Sequence, residues 1–534
     1  MIRLALAAAL ALAHTAAARP VVVGADHGVA GFNTELSCCT DPWSRWMGES
    51  EAIRGAFRID QHGVWREELV SAASADAHGV TYRIRTDANW YWGGRKVPVT
   101  YRDFVYTLRE IDDPLSDVAD RSGYANLDPT RFTHHGDKEV TFYWRTTPYA
   151  GWQSLFSTLY PSFALKGADF NSLWTTCICG SDGRPVADGP YYLATYTKGQ
   201  GATLKANPYW TLHRPAVREI DFRVFPDAAS AVQAMSTGAV DAIAPAFGPY
   251  LEQVKSEKGL SFVQIPAYYS EHLDFREGPG SSNALLRAPF VREAIAYAVD
   301  RTAIIQAVFG DFAGAVHPLD DALYYGTEAG YRRDFRRWGF NPRNALALMA
   351  KHCTGGPRAV DPANTSVWTC SGLPAVFTWS WPTGDTTRTV TEAIAKAQLQ
   401  AVGIEIRDQP VAPNVFYGAG GVASGAYDIA EVADVTSGDP GDWYDVYRCN
   451  GPLNVTGFCS HSVDRFLRAG MRELGPLARR LDFRRADAAL ALAVPVLPLY
   501  QHPAVLVHRS TLRGMVASPA AAGPFWNVED WKWR

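Results

Sequence analysis

Apolar positions in this chain follow two rhythms, a period of two and a period near 3.6, which replace one another along its length. Residues 80–85 (V-T-Y-R-I-R) alternate as a half-buried strand does. Thr100 then predicts the start of a helix running to residue 111, with Asp103 as the acidic partner of a capping box. Asp227 is placed to cap a second helix that ends at Gly238, and residues 239–244 follow as a short strand. Over 289–309, Val291, Ile295, Ala298, Ile305 and Val308 fall on one helical stripe, predicting a single helix. Asn341-Pro342 opens another, because proline at the first helical position loses no hydrogen bond. Residues 389–402 read as helix, Gly403 as its left-handed cap, and 404–406 as the start of a strand. Mixed elements of this kind predict α/β layers around more than one core.

The first 18 residues break the pattern. Arg3 precedes an unbroken apolar run over 4–13, and Ala16-Ala17-Ala18 offers a small-residue cleavage site, the order of a secretory signal peptide. The expectation is a mature chain beginning at Arg19; a buried N-terminal helix is the alternative. No later run reaches the length of a membrane span, and the nearest, 488–500, is interrupted by Pro495 and Pro498. At 534 residues the chain has room for about three domains. Its 51 Lys and Arg against 55 Asp and Glu leave a formal charge of -4 with no block of like charge, which argues against a nucleic-acid partner. The eight cysteines, at 38, 39, 177, 179, 353, 370, 449 and 459, suit an oxidising compartment and disulfides. Cys353 with Cys370 and Cys449 with Cys459 are expected to close local loops. Cys38 or Cys39 is then expected to bridge to Cys177 or Cys179; a four-cysteine zinc site is the alternative, against which the spacing speaks.

Signatures of catalysis are missing. The chain contains no H-E-x-x-H, no G-x-x-x-x-G-K-[ST] and no G-x-S-x-G, and His134-His135 suits a solvated loop better than a metal site. No cofactor and no metal ligand is assigned. Two polar-aromatic stretches stand out instead: 379–385 (W-S-W-P-T-G-D), with Trp379 and Trp381, and 434–443 (D-V-T-S-G-D-P-G-D-W). Such stretches suit a pocket of apolar faces with a few placed polar groups; packing inside a core is the competing reading for the tryptophans.

Four further segments carry a resemblance. Residues 90–104 (W-Y-W-G-G-R-K-V-P-V-T-Y-R-D-F), 188–193 with 204–210 (L-K-A-N-P-Y-W), 231–243 (A-V-Q-A-M-S-T-G-A-V-D-A-I) and 289–301, with P-F-V-R-E-A-I and Asp300-Arg301, occur in an order and spacing similar to the family 5 extracellular solute-binding proteins of ABC importers, the dipeptide and oligopeptide type. The resemblance implies an α/β, periplasmic-binding-protein-like fold (class II, cluster C type): two main lobes plus an inserted third, hinged about a cleft. Lobe I would comprise 19–54, 186–270 and 498–534, lobe II 55–185, and lobe III 271–497, with crossover strands near 262–275 and 494–507. It further implies a monomeric, non-enzymatic protein that captures a peptide-like or other amphipathic solute and hands it to membrane permease subunits. An envelope sensor of the same fold and a secreted hydrolase are the alternatives.

Ligand contacts are expected from Asn33, Thr34, Trp379, Trp381, Asp434, Thr436, Asp439 and Trp443, converging on one cleft between the first and third lobes. In peptide-binding members a carboxylate three positions before the D-P or E-P pair receives the peptide ammonium, and here that position is Thr436, before Asp439-Pro440. A hydroxyl cannot offset the desolvation of a buried cation by charge pairing, so ammonium recognition is not expected unless Asp434 or Asp439 supplies it. The first cysteine, Cys38, lies well beyond the apolar run, so no lipoprotein anchor is expected and release to the periplasm or cell envelope is.

Overall fold

The computed structural model describes residues 19–418 and 420–534. The expected signal segment lies outside them. Among the described residues no helix is long and apolar enough to cross a membrane.

One ten-stranded sheet organises the chain. Its strands are β1 (Val21–Ala25), β2 (Tyr191–Thr197), β3 (Gly201–Ala206), β4 (Glu219–Val224), β5 (Ala242–Ile243), β6 (Leu260–Phe275), β7 (Val376–Pro382), β8 (Glu405–Val411), β9 (Ile429–Val435) and β10 (Val496–Arg509). They lie in the order β2-β3-β4-β1-β5-β10-β6-β9-β7-β8. The two long strands, β6 and β10, run antiparallel through the centre and break register between Pro266 and Ser270 and again between Glu271 and His272. On one side β10 pairs with β5, and on the other β6 pairs with β9 over Tyr269 to Phe275. The segments expected as crossovers, near 262–275 and 494–507, fall on these two strands.

Two buried apolar clusters flank this seam. One holds Val21, Val23, Phe104, Phe142, Phe156 and Phe222 and takes in the four-stranded sheet of 70–75, 79–84, 127–135 and 139–144. The other is built from Val291, Ile295, Phe377, Trp379, Leu399 and Leu497. Trp65 and Met471 pack against both. A second link is a backbone bond, in which the Ala150 N–H donates to the Met471 carbonyl at 2.9 Å.

The local rules read from sequence explain most helix ends. Thr100 caps α1 (Tyr101–Asp112) in a full capping box with Asp103, Asp227 caps α2 (Ala228–Thr237), and Gly238 closes it at φ +79°. The helix expected over 289–309 is two, α3 (Pro289–Ala298) and α4 (Arg301–Phe309). The break falls where the Asp300 carboxylate accepts from the Thr302 and Ala303 amides and so starts a new helix. α5 (Pro342–His352) opens behind Asn341 as expected. α6 (Thr386–Gln400) begins three residues earlier than periodicity suggests, because Asp385 caps it.

Cys353 pairs with Cys370 and Cys449 with Cys459. The expected bridge between the remaining clusters is corrected: Cys38 bonds to Cys39, and Cys177 to Cys179. Hydrogen bonds hold the two segments together in place of sulfur, with the Phe32 N–H on the Trp174 carbonyl at 2.9 Å and the Asn33 amide on the Phe170 carbonyl at 3.5 Å.

Candidate functional site

Strand alternation sends Ser270, His272 and Asp274 of β6 to one face of the sheet and Glu271 to the other. On β9, directly beside it, Asp434 stands opposite Ser270. Just past the end of β9, the Thr436 amide donates to the Tyr268 carbonyl at 3.0 Å and its hydroxyl donates to the Tyr325 hydroxyl at 3.1 Å. Tyr325 stacks on Tyr268 with ring centres 5.1 Å apart. Gly438, at φ +84°, lets the loop turn against this pair, since a Cβ there would stand 2.2 Å from the Tyr268 ring.

Behind the turn the carboxylates are committed. Asp439 starts the short 3-10 turn Pro440–Trp443 by accepting from the Gly441 amide at 2.6 Å, and Arg479 grips it at 2.5 and 3.0 Å. Asp442 accepts from the Ser437 amide and hydroxyl at 2.7 and 2.9 Å; burial, reinforced by the Asp439 charge, pushes its carboxyl up to about 7. Asp434 is different. Its side chain is 50% exposed, and the ionisable group beside it is His272, with Nε2 3.6 Å away, beyond hydrogen-bond range. The same nitrogen lies 3.6 Å from Asp274, whose carboxyl burial pushes up to about 6. Trp443 closes this end, edge-on to His272 at 6.2 Å and stacked on Tyr447 at 5.7 Å. The space enclosed by Ser270, His272, Tyr325, Trp443 and Tyr447 is about the size of one water molecule.

On the opposite face of β6, Glu271 is buried and saturated. Arg388, from the first turn of α6, donates to it at 2.7 Å, and His502 of β10 meets it at 2.7 Å. Burial raises this carboxyl, but the Arg388 charge and His502 together hold it below its ordinary range. Arg388 also donates to the Tyr417 hydroxyl at 2.7 Å, and His502 stacks on Tyr269 at 4.0 Å. The arrangement offers aromatic faces, hydroxyls and one half-exposed carboxylate beside the paired strands β6 and β9.

The residues proposed from sequence divide accordingly. Asp434, Thr436 and Trp443 come together, and Asp439 supports them from behind. Asn33 and Thr34 do not join them. Asn33 is buried in the first cluster, where the Tyr160 hydroxyl donates to its side-chain oxygen at 2.5 Å, and Thr34 donates to Glu49 at 3.1 Å. Trp379 and Trp381 share one face of a strand, as alternation requires, but that face is core: Trp379 is fully buried with its N–H on Glu431 at 3.4 Å, and Trp381 donates to Thr389 at 3.2 Å. Ser270, His272 and Tyr325, and across the strand Glu271, Arg388 and His502, are the residues sequence reasoning passed over. The alternating polar positions 270, 272 and 274 were the available signal.

Residues 65–452 match the family model described as bacterial extracellular solute-binding proteins, family 5 middle. Among curated proteins, the chain is 26% identical over 454 residues to oligopeptide-binding protein OppA of Mycobacterium tuberculosis, covering 83% of this chain and 72% of that one. It is 24% identical over 504 residues to protein XP55 of Streptomyces lividans, covering 89% and 85%. Among solved structures, the periplasmic EDTA-binding protein EppA superposes with a TM-score of 0.83 at 20% identity, over 97% of this chain and 96% of that one. The oligopeptide-binding protein AppA of Bacillus subtilis, in complex with a nonapeptide, gives 0.75 at 18% identity over 97% and 99%. The fold is therefore that of periplasmic binding proteins.

Proposed function

The chain belongs to the extracellular solute-binding proteins of family 5, and from that premise we propose that it captures a peptide-like or other amphipathic solute at the seam around Ser270, Tyr325, Thr436 and Trp443, without gripping a free ammonium at Thr436. It is the substrate-binding component of an ABC importer. As a monomer, it delivers its solute from the periplasm or cell envelope to the permease. Residues 271–497 form the body that swings against the rest, and the shift in register midway along β6 and β10 favours bending there.

One observation carries the ligand reading: the Thr436 hydroxyl is already satisfied by Tyr325, and Asp439 by Arg479. A solute bound here meets aromatic faces and hydroxyl groups, which fix orientation without charge pairing. Calorimetric titration of matched free and N-acetylated peptides tests the reading. Comparable affinities are expected. A preference of roughly a hundred-fold for the free amine, about 2.7 kcal/mol, would overturn it and give the ammonium to Asp434. Trp443→Ala is expected to weaken whichever of the two forms binds.

A further inference from the structure

The cysteines at 38, 39, 177 and 179 have no part in the site above, yet they sit at one junction. Cys38 is exposed and Cys39 is buried. A methyl group placed on Gly31 would stand 3.1 Å from the Cys39 sulfur and 3.3 Å from the Thr175 Cα, so the sulfur and the backbone of the second segment both lie against Gly31. Cys177 follows two residues later, and the Trp174 indole donates to the Cys179 carbonyl at 3.0 Å. The two segments are thus already docked, while each disulfide spans a sequence separation of only 1 or 2 residues. A ring that short removes almost no freedom from the unfolded chain, so neither bond contributes much stability where it stands. The bonds at Cys353–Cys370 and Cys449–Cys459 span 17 and 10 residues and do contribute.

We propose that these four cysteines form a thiol-exchangeable switch, in which two local disulfides convert to two cross-links between the N-terminal segment and the loop at 174–179. An external thiolate, of the small-thiol or dithiol-oxidoreductase class, attacks the exposed Cys38 sulfur. The Cys38–Cys39 bond breaks, and Cys39 leaves as a thiolate. That thiolate attacks the Cys177 sulfur, breaking Cys177–Cys179 and releasing the Cys179 thiolate. The latter attacks the mixed disulfide at Cys38 and expels the external thiolate. Two disulfides enter and two leave, so nothing is oxidised or reduced overall and the thiol acts as a catalyst. The cross-linked form fastens the segment bearing Asn33 and Thr34 to its neighbour covalently, and the local form leaves that contact to hydrogen bonds.

Peptide mapping of the full-length oxidised protein under non-reducing conditions, before and after incubation with catalytic glutathione, decides the matter. The expected result is local pairs at the start, and at least about a tenfold rise in peptides joining 38 or 39 to 177 or 179 after thiol treatment, with Cys353–Cys370 and Cys449–Cys459 unchanged. Cys38→Ser should abolish the Cys38–Cys179 link while leaving Cys353–Cys370 intact. Cross-links fully present before thiol is added, or none after it at any concentration that spares the two longer disulfides, would overturn the proposal.

Discussion

Ser270 and Glu271 are neighbours on one strand, yet the faces they enter are finished in opposite ways. On the Glu271 side the carboxylate at the centre has close partners: Arg388 and His502 both reach it at 2.7 Å. On the Ser270 side His272 hangs between two carboxylates at 3.6 Å each, and Asp434 stays half-exposed. A saturated buried ion pair resists disturbance because stripping either partner leaves an uncompensated charge in the interior. An under-satisfied polar face keeps its capacity for another molecule. On the proposed function, the contrast separates the part of the strand pair that holds the protein from the part a solute would reach.

The sharpest way to break this comparison is to remove the cation from the saturated side. Arg388→Met is expected to destabilise the fold by about 3 to 5 kcal/mol, read from urea denaturation, because Glu271 remains buried beside Glu431; a loss below about 1 kcal/mol would show that the triad is not the anchor.

The second prediction is that the two faces respond to pH with opposite sign. Asp274 is raised to about 6 by burial, so its contribution is intact below about pH 4 and is lost as pH rises through 6, costing about 3 kcal/mol. Glu271 is held below its ordinary value, so its contribution is present above about pH 4 and is lost as pH falls through its folded value. Thermal unfolding of Asp274→Asn against the parent should therefore show a gain at pH 7.5 that vanishes near pH 3.5; a gain independent of pH would refute the assignment.

Smaller effects test the Ser270 side. Thr436→Val removes the hydroxyl bond to Tyr325 and is expected to cost about 1 kcal/mol, measurable as a shift in denaturation midpoint. Asp434→Asn is expected to change stability by less than about 0.5 kcal/mol, since the carboxylate holds nothing in place; a larger loss would make it structural and undo the contrast.

How far these features could be read from sequence depended on how local their causes were. Capping by Thr100, Asp227 and Asn341 is written within four residues and was legible. Asp300 belongs to the same class, but its side-chain cap was hidden inside an apolar stripe that continues on both sides of it. Trp379 and Trp381 were ambiguous because alternation places two side chains on one face without saying what covers it; the covering element, α6, comes from beyond the strand. The loop at 434–443 was recognisable by composition, while Tyr325 and Arg479, which complete it, are distant in sequence and carry no mark of that role. Arg388 pairing with Glu271, 117 positions away, is of the same kind.

The position of β10 in the sheet also bears on how the molecule is made. This strand is made long after β5 and β6, yet it lies between them, in the middle of the sheet. Until it arrives, β5 and the first half of β6 have no partner between them, and neither apolar cluster is complete, because Leu497 and Leu506 belong to one each. The nascent protein therefore cannot close its architecture from the front, and pairings between distant segments are slow to form. A chain so built completes neither core before this strand has been made.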